Sequence, residues 1–148
     1  MKISINANRC EPSPMRKFHP LAMKAVQAGK KIYHLNIGQP DLTTPQEFYS
    51  AVHGFSKPTL EYAASPGMPL LINAVRKYYK ELDVDLEPQD VFITTGGSEA
   101  LLFTCLSIMD PYTEVIIPEP YYPNYTTFVH AAGGVIRALH TTPEEGYR

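Results

Sequence analysis

The stretch VFITTGGSEALLFTCL (91–106) decides the fold of this 148-residue chain. Its first five residues, VFITT (91–95), are mostly β-branched or aromatic and predict a strand. The Gly-Gly pair at 96–97 then predicts a tight turn, and Ser98 begins a strongly apolar helix. Glycine lets backbone N–H groups approach an anion closely, and a helix N-terminus adds unpaired donors and about half a positive charge. The junction therefore predicts a phosphate-binding turn; the structural alternative is a serine-capped turn without a ligand.

The elements around this junction alternate between strands and helices. From residue 90 onward the order is strand, helix, strand, helix, strand, which predicts a parallel sheet with helices packed against it. The strands VFITT and EVIIP are uniformly apolar, so we expect both to be covered on both faces. The remaining predictions are an extended arm at 1–20, helices at 20–29, 45–55, 69–82 and 122–132, a short strand or extended segment at 32–38, and strands at 114–120 and 135–139.

Three tyrosines follow the second strand of this alternation. The segment EVIIPEPYYPNY (114–125) places Tyr121, Tyr122 and Tyr125 just past the strand's end. Ligands of open parallel sheets bind beyond the carboxyl ends of the strands. A tyrosine there either stacks on a planar heteroaromatic ring or anchors a proline-rich loop. Together with the phosphate-binding turn one strand earlier, it indicates a ligand that bears a phosphate and an aromatic ring.

Composition argues against several other classes of protein. The net charge is −2 and no Lys/Arg run is interleaved with aromatic residues, so we expect neither nucleic acid nor membrane as a partner. The two cysteines and five histidines lack metal-ligand spacing, and we predict no metal site. The dinucleotide and P-loop glycine motifs are missing. Because no signal peptide or long apolar run is present, we expect a cytoplasmic protein.

Four segments follow one another along the chain: LNIGQPDLTTP (35–45), LEYAASPGMPLLINAV (60–75), ITTGGSEALLFTCLSIMDP (93–111) and EVIIPEPYYPNY (114–125). In this order they resemble the class I/II aminotransferases, fold-type-I enzymes that depend on pyridoxal 5'-phosphate (PLP) and are typified by aspartate aminotransferase. The resemblance implies an α/β fold, the N-terminal part of a fold-type-I PLP-dependent transferase, with a partial, mostly parallel sheet flanked by helices. It further implies an N-terminal arm and small-domain segment at 1–45 and the first part of the PLP-binding large domain at 46–148.

The resemblance implies roles for four residues at the cofactor. Gly97, Ser98 and Glu99 match the loop that binds the PLP phosphate, chiefly through backbone N–H groups. The Glu99 carboxylate should point away from the phosphate, because two anions repel each other. Tyr122 matches the aromatic residue that stacks on the pyridine ring.

Two further residues have counterparts in the family. Tyr62 matches a tyrosine that reaches the cofactor phosphate of the neighbouring subunit, which implies a homodimer. Gly38 matches the glycine whose backbone meets the α-carboxylate of the substrate. The resemblance implies that the substrates are an α-amino acid and a 2-oxo acid, between which an amino group is transferred.

The Schiff-base lysine of this family has no counterpart here. All eight lysines precede the Gly-Gly turn, so we assign no catalytic residue and expect the chain to be inactive by itself. Two alternatives stay open. One is another fold-type-I PLP enzyme, a carbon–sulfur β-lyase or an aminocyclopropane-carboxylate synthase. The other is a non-catalytic module that binds PLP or phosphate or serves assembly.

Overall fold

The computed structural model describes residues 2–11 and 13–148, so positions 1 and 12 of the predicted arm lie outside the described residues. This part of the chain contains six α-helices and two β-strands. Short 3-10 turns occupy Pro14–Arg16, Pro88–Asp90 and Pro143–Glu145. The main elements are α1 (Ile5–Asn8), α2 (His19–Gln27), α3 (Gln46–His53), α4 (Pro69–Lys80), α5 (Gly97–Ile108), β1 (Glu114–Glu119), α6 (Asn124–Ala131) and β2 (Val135–His140).

The chain divides into two compact units. The first comprises the chain up to Ile37 together with Thr95–Arg148, and therefore contains α1, α2, α5, α6 and both strands. The second, Gly38–Thr94, contains α3 and α4. The predicted boundary between arm and large domain at residue 45 stays a prediction.

A β-α-β crossover forms the centre of the first unit. β1 and β2 pair in parallel from Glu114 opposite Val135 to Glu119 opposite His140, and α6 connects them. The turn from α6 into β2 is tight, because a Cβ at Gly134 would lie 2.9 Å from Val129 Cγ1. This crossover confirms the predicted parallel pairing and the α/β fold class.

The structure corrects the prediction of a strand at 91–95. Residues 91–94 belong to no described strand, and the Ile93 N–H donates to Pro66 O at 2.8 Å instead of to a neighbouring strand. Residues 32–38 likewise form no strand. Residue preferences favour an extended backbone, but a strand also requires a neighbour with which to exchange ladder hydrogen bonds.

β1 is covered on one face only. Its residues alternate between exposed and half-buried, and Ile116 is 73% exposed. The expectation that EVIIP is covered on both faces is therefore wrong for the described chain. An apolar strand needs other elements packed against both of its faces, and the described elements pack against one face of β1 only.

The four remaining helix predictions are confirmed by α2, α3, α4 and α6. The arm, in contrast, is not wholly extended, because it contains α1 and the turn at Pro14–Arg16. The Arg9 guanidinium donates to Gly134 O at 3.0 Å, and His130 Nδ1 lies 3.0 Å from Arg9 O. The segment around α1 therefore packs on the end of α6.

Few side chains of the described chain are buried. The accessible surface is 12929 Å², whereas a folded monomer of this mass has about 7,600 Å². The buried hydrophobic residues are Ile72, Val91, Cys105 and Val129. α5 is apolar on all sides, as buried helices are, yet Cys105 is its single buried residue. Much apolar surface is thus left for other polypeptide to cover.

Candidate functional site

The turn before α5 requires glycine at one position for its backbone. Gly96 is the N-cap of α5 and has φ +81°, in the region that disfavours residues with a Cβ. Gly97, the first helical residue, lies outside that region, and a Cβ there would meet no atom within 4 Å. The fold of the described chain therefore explains the glycine at 96 but not the one at 97. Open space in front of Gly97 fits an anion that approaches the backbone closely.

The N-terminus of α5 keeps its backbone donors. Its N-cap has no side chain, and no side chain caps the helix. Ser98 is the second residue of α5 and is exposed. The prediction that Ser98 caps the helix is therefore wrong, whereas the binding of a ligand at this turn stays a prediction. The N–H groups of the first helical turn have no acceptor within the helix and carry its partial positive charge, which suits a phosphate group.

Glu99 stabilises this turn from the side. Its half-buried carboxylate accepts a hydrogen bond from the Thr95 N–H at 2.5 Å. The contact fastens the first turn of α5 to the segment that precedes Gly96. Its negative charge also lies favourably near the helix N-terminus. The predicted direction of this carboxylate relative to a bound phosphate stays a prediction.

Tyr122 lies two residues before α6 and is 44% exposed. Its ring meets the Tyr125 ring edge to face, with centroids 5.6 Å apart and planes at 88°. Its hydroxyl oxygen accepts a hydrogen bond from Asn124 Nδ2 at 2.7 Å. The ring is thus held by two contacts from α6 while a large part of its surface stays accessible. The sequence alone did not indicate that Asn124 contacts the Tyr122 hydroxyl or that the Tyr125 ring packs against Tyr122.

Tyr121 and the strand ends line a shallow groove. The Thr141 hydroxyl donates to Glu119 O, which joins the ends of β1 and β2. The groove has a volume of about 500 Å³ and is lined by Tyr121, Pro120 and Thr141 among others. The Glu119–Pro120 peptide bond is cis. The aromatic segment therefore lies at the carboxyl edge of the parallel pair, where such sheets bind ligands.

Two of the predicted site residues lie in the second unit. Tyr62 is fully exposed, and Gly38 is exposed with no atom within 4 Å of a built Cβ. The first unit contains the other four, Gly97, Ser98, Glu99 and Tyr122. The roles of all six residues stay predictions.

Gly67 is a second glycine with a structural requirement that the sequence analysis missed. It has φ +118°, and a Cβ there would lie 2.4 Å from Ile93 Cγ1. The neighbouring Pro66 O accepts the Ile93 N–H. This turn fastens the loop that carries Tyr62 to the segment that leads into the Gly96 turn. The sequence Ser-Pro-Gly-Met-Pro (65–69) marks a turn, but only the structure shows what it packs against.

The resolved pKa shifts belong to residues outside the Gly96–Gly97 turn. Burial raises the pKa of the Cys105 thiol, which therefore stays protonated at neutral pH. A hydrogen bond and the charge of Arg137 lower the pKa of Glu114 at the start of β1. Within residues 2–11 and 13–148, no cluster of three or more His, Cys, Asp or Glu side chains could hold a metal. No helix in this part of the chain has the length and apolar character of a membrane span.

Comparison with known proteins now identifies the family. Residues 30–148 match the model of the aminotransferase class I and II family. An aspartate/prephenate aminotransferase of Thermus thermophilus is 31% identical over 147 residues, which cover 98% of this chain and 38% of that protein. The chain belongs to the class I and II aminotransferases.

Solved structures show the same fold. An aspartate aminotransferase from Rhizobium meliloti superposes with a TM-score of 0.88 at 25% identity, over 100% of this chain and 38% of that one. An alanine aminotransferase from Pyrococcus furiosus superposes with a TM-score of 0.86 at 30% identity, over 99% and 38%. The predicted fold, the N-terminal part of a fold-type-I α/β enzyme, is confirmed. The chain spans about 38% of the length of these relatives.

Proposed function

We propose that the complete protein is a PLP-dependent aminotransferase that moves an amino group between an α-amino acid and a 2-oxo acid. The observation that carries this proposal is the turn at Gly96 and Gly97. The backbone needs the first glycine, whereas the second leaves open space at uncapped N–H donors. Membership of the aminotransferase class I and II family favours PLP as the ligand, and so does the exposed Tyr122 ring in the same unit.

In this proposal the chain supplies one half of a cofactor site. The backbone N–H groups of Gly97, Ser98 and Glu99 donate to the phosphate, and the Ser98 hydroxyl adds one further donor. The Tyr122 ring stacks on the pyridine ring and fixes its plane. PLP itself, when bound, acts as the electron sink of the reaction, while the protein orients it and excludes water.

We assign roles to two residues of the second unit, Tyr62 and Gly38. The exposed Tyr62 reaches the cofactor phosphate of the partner in a symmetric homodimer, so that each site draws on two subunits. The Gly38 backbone meets the substrate α-carboxylate, where its lack of a side chain leaves room. We propose a cytoplasmic location for the dimer.

The proposal is tested with the complete protein and a set of amino donors. Aspartate and alanine come first, because relatives are named for them. With 2-oxoglutarate as acceptor, one donor should yield glutamate and the matching 2-oxo acid in equal amounts. After bound PLP is removed, this activity should return only when PLP is added back. Release of ammonia, pyruvate and a thiol from a sulfur-containing amino acid, without any transfer, would instead indicate a carbon–sulfur β-lyase.

A further inference from the structure

The residue that holds the hydroxyl of Tyr122 extends the site beyond the stacking ring. Asn124 Nδ2 donates to the Tyr122 hydroxyl oxygen at 2.7 Å, two residues along the chain. The Tyr125 ring meets the same tyrosine at 88°. A stacking residue with an unrestrained ring can turn about its side-chain bonds. It loses this rotational freedom on binding, and the entropy loss weakens the stack. Here one contact fixes the hydroxyl end and another fixes the ring.

The support for Asn124 is itself well fixed. Asn124 is the first residue of α6, and Pro123 before it has a fixed backbone angle. At the other end of α6 the Val129 side chain is buried, and His130 lies 3.0 Å from Arg9 O. The amide therefore projects from a helix whose C-terminal half is packed and whose first turn follows a proline with a fixed angle, which helps to preorganise a binding group.

We propose that Asn124 is a positioning residue that sets the orientation of the Tyr122 ring against the cofactor. The inference rests on the proposed function, since it assumes that PLP stacks on Tyr122. It gives the hydroxyl of Tyr122 a role in this chain, as the acceptor of the Asn124 amide. Asn124 touches neither the cofactor nor the substrate in this account and acts through the tyrosine alone.

A double-mutant cycle in the complete protein tests the inference through PLP affinity and the visible circular dichroism of bound PLP. Asn124→Ala and Tyr122→Phe should each weaken PLP binding about twofold to tenfold, the loss of one neutral hydrogen bond. Both should alter the dichroism band in the same way. The double variant should resemble Tyr122→Phe alone, because the two changes remove the same contact. Asn124→Asp should restore binding, since its carboxylate accepts from the hydroxyl and suits the first position of a helix.

Asn6→Ala is the matched control, because Asn6 Nδ2 donates to Ala131 O at the opposite end of α6. It removes an amide hydrogen bond from the same helix and should leave both readouts unchanged. Additive effects of Asn124→Ala and Tyr122→Phe, or an Asn124→Ala variant that behaves like the control, would overturn the positioning role. A protein that binds no PLP, or a Tyr122→Ala variant that binds it normally, would overturn the proposed site together with this inference.

Discussion

Some glycines of the described chain are required by the backbone or by close packing, whereas Gly97 is not. Gly96, Gly67 and Gly134 have clear structural reasons, a positive φ or a close neighbour. Gly97 has neither, and this difference supports a ligand at the turn. Asn124 could not be predicted, since the sequence shows an asparagine two residues after a tyrosine and not the direction of either side chain.

The two cysteines should differ in their reactivity toward a thiol reagent. Burial in α5 raises the pKa of Cys105, so its thiol stays protonated where an ordinary thiol begins to ionise. Cys10 is only half-buried. In the folded complete protein a thiol reagent at neutral pH should modify Cys10 first, and the rate at Cys105 should still rise at pH values above the usual thiol range. Peptide mass spectrometry at several pH values measures both rates, and faster modification of Cys105 would contradict the burial.

Among the elements, periodicity predicted the long helices well and the strands less well. α3 and α4 begin and end within about two residues of the predicted bounds, because apolar spacing and flanking prolines are local features. β1 and β2 have the expected positions as well. VFITT fails as a strand because its pairing depends on residues far away in the chain or outside it. α1 was missed because four residues carry too little periodicity to be recognised.

Gly67→Ala should disrupt the second unit. The new Cβ would require an unfavourable backbone at φ +118° and would lie 2.4 Å from Ile93. Strain and overpacking together should cost about 2–5 kcal/mol in the free energy of unfolding. Denaturant unfolding of the complete protein measures this. Gly97→Ala, which meets no atom in the described chain, serves as the control and should cost far less. Equal stability of both variants would contradict the described packing of Gly67 on Ile93.

The whole chain has more exposed surface than its mass predicts for a folded monomer. Exposed apolar residues lie on α5, on α3 and on one face of β1. Relatives are more than twice as long. The resemblance to fold-type-I enzymes likewise predicted only part of their sheet for these residues. The sequence thus predicted the family and fold, but it did not predict which faces of the strands and helices are covered.

The 148-residue chain alone should therefore show no transamination. All eight of its lysines are exposed and precede the Gly96–Gly97 turn in the sequence. Incubation with PLP, an amino donor and 2-oxoglutarate should give no glutamate above a PLP-only control. Borohydride reduction should fix no cofactor at a unique lysine. Specific attachment at one lysine would show that the chain contains a catalytic group that we have not assigned.

The affinity of the complete protein for PLP after Gly97→Val tests the central claim most directly. Because a Cβ at 97 would meet no atom of the described chain within 4 Å, the melting temperature should change little. The added bulk blocks the approach of phosphate to the backbone donors, and the loss of one charge-assisted hydrogen bond lowers affinity about tenfold or more. Gly97→Ala should give an intermediate loss. A stably folded Gly97→Val variant that binds PLP as tightly as the unmodified protein would contradict the account.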